Sequence, residues 1–225
     1  MKALFRAFCI VAISLHYGFA ESKSLSNEIF REAKVIFETM HDTHYDHKTF
    51  INEKQGIYYV DCSSFISYVV QQKVPLALSS LTIDAHHTRL RAQNFYDYFK
   101  SLQQGQSSEH WMAVTSMSEV EVGDIIAWKY SPQEQQEKKN TGHMIVVAAK
   151  PILEAPNLYK IRVIDSSSGK HANDTRTLQK TDGIGMGEMW FRVDEQGYPV
   201  GLYWSDKNKK ESQHLIAIGR VLTSQ

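Results

Sequence analysis

Beyond about residue 122 the hydrophobic pattern of this chain changes period, and that change restricts the architectures open to it. Before that point the apolar side chains recur at helical spacing. Leu25, Ile29, Ala33, Ile36 and Met40 do so over residues 24–40, and Phe65, Ile66, Val69 and Val70 do so after Cys62, until Pro75 stops the run. Leu90, Phe95, Tyr98, Phe99 and Leu102 repeat the pattern over 82–102. Past residue 122 the signals are those of strands: 124–130, then 143–149, apolar throughout after its first residue, and then the alternating run 159–165. Residues 188–194, 198–204 and 214–222 supply three more. Helices followed by closely spaced strands describe an α+β fold with an antiparallel sheet of about five to six strands. A polar run up to Thr141 reads as a solvated loop, and Gly183-Ile184-Gly185-Met186-Gly187 as a mobile connection, since a dinucleotide-binding loop would need a helix after it.

The first 20 residues carry Lys2 and Arg6, an apolar run from Ala7 to Leu15, and small residues at Gly18 and Ala20, the pattern of a secretory signal peptide. Its apolar run is shorter than the ~20 residues a membrane helix needs, and no later stretch is longer. The expected product is exported, periplasmic or extracellular, and has no transmembrane segment. Loss of the two cations turns a formal net charge of 0 into −2, which argues against a nucleic-acid partner. Residues 21–225 suffice for one domain and can bury roughly 70% of their unfolded surface without a disulfide or metal staple.

The chain has two cysteines, Cys9 and Cys62, and only Cys62 outlasts removal of the leader. A lone thiol in an exported protein is either a buried structural residue or a reactive one. Cys62 opens the helix that ends before Pro75, where unpaired N–H groups and the helix dipole favour the thiolate. The expectation is therefore a nucleophile of lowered pKa. His41, His44 and His47, with Asp42 and Asp46, have neither the cysteine partners nor the H-E-x-x-H spacing of a zinc site, so no metal is expected. Trp111, Trp128, Trp190 and Trp204 suit core or half-buried strand positions better than sugar stacking.

His143 stands at the entrance of the 143–149 strand. If that strand and 159–165 form an antiparallel hairpin with Ala149 facing Tyr159, His143 comes opposite Asp165, with Cβ atoms ~5 Å apart. A slip of one residue would put Asp165 on the other face. Cys62 as nucleophile, His143 as proton acceptor and donor, and Asp165 orienting it are the parts of covalent acyl transfer.

In that order, and in its local motifs, the chain resembles the NlpC-type papain-like cysteine peptidases of bacterial cell walls. The residues that carry the resemblance are Asp61-Cys62-Ser63-Ser64-Phe65 at the nucleophile helix, Gly123-Asp124-Ile125 at a strand entry, Gly142-His143 opening the next strand, and Asp165. With Tyr45 included, the resemblance covers about residues 45–165. Ser64 stands where the family has glycine, and Cys62 and His143 are farther apart than is usual, because of the 82–102 helical insertion. The resemblance implies a papain-like fold, with the nucleophile helix packed on the central sheet. It further implies a cysteine peptidase or amidase that needs no cofactor, acts as a monomer and cleaves peptidoglycan stem peptides. It makes Tyr45, Asp61 and Ser63 substrate-binding residues that hold a free stem-peptide amine; Asp61 reads equally well as a plain helix N-cap. Two other functions use the same fold: a thiol acyltransferase or secreted toxin with the same triad, and a catalytically inactive wall-binding domain.

Overall fold

The computed structural model describes residues 24–176 and 182–223. The proposed signal peptide, 1–20, lies outside the described residues. In chain order the elements are α1 (Ser26–Thr39), β1 (Asp42–His44), β2 (Phe50–Asn52), β3 (Ile57–Tyr59), α2 (Cys62–Lys73), α3 (Pro75–Ser79), α4 (Ala92–Gln103) and β4 (Trp111–Val114). Then come β5 (Ile125–Lys129), α5 (Pro132–Lys138), β6 (Gly142–Val147), β7 (Ile152–Ala155), β8 (Leu158–Ser167), β9 (Gly183–Val193), β10 (Pro199–Tyr203) and β11 (Leu215–Val221).

The strands form an eight-stranded antiparallel sheet in the order β10-β9-β8-β6-β5-β11-β4, with β7 paired to β8. The fold is α+β as expected, but its sheet is larger than the five to six strands read from the pattern. β4 and β7, four residues each, are too short to show an alternation. A separate three-stranded sheet, β1-β3-β2, has β1 and β3 parallel. Among the described residues no helix is long and apolar enough to cross a membrane.

The starts of α2 to α5 have local causes. The Asp61 carboxylate accepts the Ser64 N–H at 2.8 Å and starts α2. Pro75, which cannot continue α2, takes the first position of α3. The helix expected over 82–102 begins only at Ala92, capped when the Arg91 N–H donates to the Asn94 side chain. The polar loop before Thr141 contains α5, begun by Pro132 and a reciprocal Ser131–Glu134 capping box. Its side chains are polar all round, so no apolar period marks it.

Two apolar layers cover the two faces of the large sheet. Ile29, Ala33, Phe65, Ile66, Val69 and Phe99 of α1, α2 and α4 pack on Met144, Val146 and Ile164. On the other face Trp128, Ile145, Val147, Val163, Phe191 and Leu202 form the second layer. The alternation along β6 assigns its odd and even residues to opposite faces. Gly142, which opens β6, is required by close approach: a Cβ there would stand 1.9 Å from the Trp128 carbonyl oxygen across the ladder. Gly142→Ala is expected to cost about 3 kcal/mol, read as a lowered denaturant midpoint, because backbone has to move.

Gly183-Ile184-Gly185-Met186-Gly187 is not a mobile connection. It is the first half of β9, in full register with β8. The glycines make room, since a Cβ on Gly185 would meet Arg176 at 2.7 Å and one on Gly187 would meet His171 at 2.6 Å. Residues 171–176, after β8, thus form a strap over a bare glycine track.

Candidate active site

His143 and Asp165 are brought together. The His143 Nε2 lies 2.6 Å from Asp165 Oδ2, and both side chains are buried. The register that achieves this is not the one counted from the hairpin. β6 pairs Val146 with Ile164 and Val147 with Val163, a shift of two residues, with β7 occupying the connection. A slip of two preserves the face, so Asp165 becomes a diagonal neighbour of His143 within reach of a long side chain. A carboxylate only accepts, so Nε2 carries the proton and Nδ1 is left with its lone pair.

Asp165 is more than an orienting group. Its Oδ2 also accepts His171 Nε2 at 2.9 Å, and Arg176 donates to its Oδ1 and to its backbone carbonyl. Arg176 bridges on to Asp174. Burial works to raise the Asp165 pKa, but the charges of His171 and Arg176 and the two imidazole bonds hold it well below the usual carboxylate range. Trp204 roofs the group, its ring 5.0 Å from that of His143 and 4.2 Å from that of His171. His171 and Arg176 went unread in the sequence; the alternating glycines opposite them in β9 were the visible trace.

Cys62 opens α2, as expected, and is buried, 2% exposed. It approaches β6 from the helix face, in the same apolar layer as Met144. The His143 ring lies on the other side, 5.0 Å from Trp128. Among the described residues no hydrogen bond joins the sulfur to the imidazole. Their link is the Met144 N–H, adjacent in the chain to His143, which points to the sulfur and favours the thiolate.

The electrostatics reverse the expected thiol acidity. Burial above all, and then the Asp61 charge, push the Cys62 pKa well up, against the Met144 and Ser63 N–H groups. Burial likewise pushes His143 down; the Asp165 bond opposes this, and the positive charges of His171 and Arg176 assist it. The resting pair is thiol and neutral imidazole, not thiolate and imidazolium. Native alkylation of Cys62 by iodoacetamide is therefore expected to be slow at pH 7 and to rise steeply only above about pH 9, whereas the unfolded chain titrates near the ordinary ~8.5. A native rate constant already at its plateau at pH 7 would contradict this.

Tyr45, Asp61 and Ser63 all reach this region, in different ways. The Tyr45 hydroxyl accepts the Asn140 amide at 3.0 Å, and Tyr45 shares with His143 and Trp204 the wall of a cleft of about 350 Å³. Burial raises the Tyr45 pKa, as do the nearby Cys62 and Asp61 charges. Asp61 is the N-cap. Its charge is also met by this chain's own Arg89, 2.5 Å away, and by His47 at 3.0 Å. Against the pull of burial, the His47 bond and Arg89 hold its pKa down at about 2. No substrate cation is needed to neutralise Asp61, because His47 and Arg89 already meet its charge. Ser63 donates to Asp61 and accepts from Arg89, both at 2.9 Å.

His47 belongs to this network, not to a metal cluster. Among the described residues no three or more of His, Cys, Asp and Glu are placed to hold a metal ion. His44 lies instead 3.4 Å from Asp182. No protein-family model, curated protein or solved structure matches this chain.

Proposed function

We propose that this protein is a cysteine hydrolase of the NlpC type with a papain-like fold, exported by residues 1–20, that cleaves a peptide amide of the peptidoglycan stem or a related amide. The observation that carries the reading is the fixed tautomer of His143. Asp165 occupies Nε2 and leaves Nδ1 as the base, at the end of the strand whose next N–H points to the Cys62 sulfur.

Because the pair rests uncharged, the proton moves as the bond forms. The Cys62 sulfur attacks the amide carbonyl while its proton passes through a bridging water at the entrance of β6 to Nδ1 of His143, and the Asp165 carboxylate stabilises the imidazolium. The Cys62 N–H, at the positive end of α2, receives the developing oxyanion. The imidazolium then protonates the leaving amine, and a water deprotonated by His143 releases the acyl group as a carboxylate. Asp61, fixed by Arg89 and Ser64, holds the start of α2 and so the position of the sulfur.

Incubation of the protein with purified peptidoglycan and synthetic stem peptides, followed by mass spectrometry, tests this. Products with a new amine and a new carboxylate, absent with Cys62→Ala, are expected. Capture of the acyl group by an added amine in preference to water would make it a transferase. Binding without products would make it an inactive wall-binding domain.

A further inference from the structure

The buried network behind His143 carries more negative than positive charge on a first count. Asp165 and Asp174 are carboxylates, 0% and 2% exposed, and Arg176, 1% exposed, is the guanidinium that serves both. His143, with its Nδ1 bare, adds no charge. A surplus anion at such depth is costly. The remaining titratable group bonded to this network among the described residues is His171, whose side chain is fully buried. Its Nε2 lies 2.9 Å from Asp165 Oδ2, and its Nδ1 lies 3.2 Å from the backbone carbonyl oxygen of Trp204. A carboxylate and a carbonyl only accept, and a neutral imidazole has a single N–H to give. Only a ring with both nitrogens protonated serves both.

Every element packed on the ring agrees with a positive charge there. Asp165 faces it from β8 and the uncharged His143 ring approaches the same oxygen from β6. β9 brings only Gly187 against it, and Trp204 lays its ring 4.2 Å away. From its own strap come Asp174, whose Oδ2 accepts the His171 backbone N–H at 2.7 Å, and Arg176, already bonded to both carboxylates.

We infer that His171 is an imidazolium in the resting protein and acts as a positioning residue for His143, supplying the second buried cation and fixing Asp165 as a carboxylate shared between two rings. The charge follows from the geometry alone; its use in catalysis rests on the hydrolase reading. A cation on the far side of the shared oxygen opposes a second cation on His143, and the His171 charge is among the causes that hold His143 below the usual imidazole range. His143 therefore waits as an unprotonated base and becomes an imidazolium only during attack. Without the His171 charge, the Asp165 carboxylate would draw a proton onto Nδ1 before substrate arrives.

Wild-type protein labelled with ¹⁵N at histidine tests the charge by two-bond ¹H–¹⁵N NMR at pH 7, the His171 ring being assigned through its contact with Trp204. Both His171 nitrogens are expected to report as protonated, and Nδ1 of His143 as bare. A bare nitrogen on His171 overturns the inference, and this spectrum decides it even if no His171 variant folds. The positioning role is read from the titration of the His143 ring in Cys62→Ala protein with and without His171→Gln, which keeps a donor for Asp165 and lacks the charge. The His143 midpoint is expected to rise by about one pH unit or more in the variant; an unchanged midpoint overturns the role. The acid limb of kcat/KM on a stem peptide should move up with it. If the wild-type protein cleaves no stem peptide, the hydrolase reading fails, and the two NMR readouts still decide His171.

Discussion

Cys62→Ala and His143→Ala should each lower amide turnover by at least about 10⁴-fold, and the double variant should be little worse than either. Nucleophile and base act as one unit, and removal of one leaves the other nothing to do. Both variants should keep their fold. Cys62 is buried at a helix start where a thiol-to-methyl change removes little packing, and α2 keeps its Asp61 cap. Asp165→Asn should lie between these and wild type. The amide can still accept from Nε2, but it cannot stabilise the imidazolium formed during attack. Turnover of a stem peptide followed by chromatography at saturating substrate checks the series. Near-wild-type kcat in His143→Ala would remove His143 from the chemistry.

The second large effect is on stability. Arg176→Met should destabilise the fold by about 3–5 kcal/mol, roughly 10 °C in Tm for a chain of this size. Arg176 is buried and serves two carboxylates, Asp165 and Asp174, so its loss leaves two buried charges short of a partner. The pH dependence follows from the direction of the Asp165 shift. Its folded pKa lies well below the usual 3.8, so its contribution to stability is fully present above that value. The contribution is lost as pH falls through the folded pKa. The variant weakens that depression, and its deficit against wild type should be full at pH 7 and shrink below about pH 4. Thermal melts of both proteins from pH 7 to pH 2.5 test it; a deficit unchanged by acid would mean that Arg176 acts through packing alone.

What was legible in the sequence was whatever repeats locally. The period of Phe65, Ile66, Val69 and Val70 placed α2 and put Cys62 at its start. The all-apolar run after His143 placed β6, and the alternation before Asp165 placed β8. The hairpin register was two residues off, yet the side-chain period of a strand is also two, so His143 and Asp165 still met. Elements of three or four residues, such as β1, β2, β3, β4 and β7, are too short to show a period. The partners Arg89, His171 and Arg176 lie in irregular segments, where no pattern marks a side chain's destination. Only the glycines at 185 and 187 recorded the strap that lies over them, and in one run with Gly183 they resembled a flexible loop. Thiol acidity was misread because a helix start predicts a local field, whereas burial is set by the rest of the fold.

The place of β11 has a consequence for how the molecule assembles. It is the last strand among the described residues, yet it lies between β5 and β4 and pairs with both. Trp111 on β4 pairs with Val221, and no other strand among the described residues holds β4 to the sheet. Until β11 forms, β4 therefore has no strand partner among the described residues, and its Trp111 is held only from the helix side by Ala77 and Phe99. Such non-local pairing makes folding slow, because the long loop must close before its contacts form. Until it is complete, the surfaces of β4 and β5 that β11 covers remain open to solvent and to other chains.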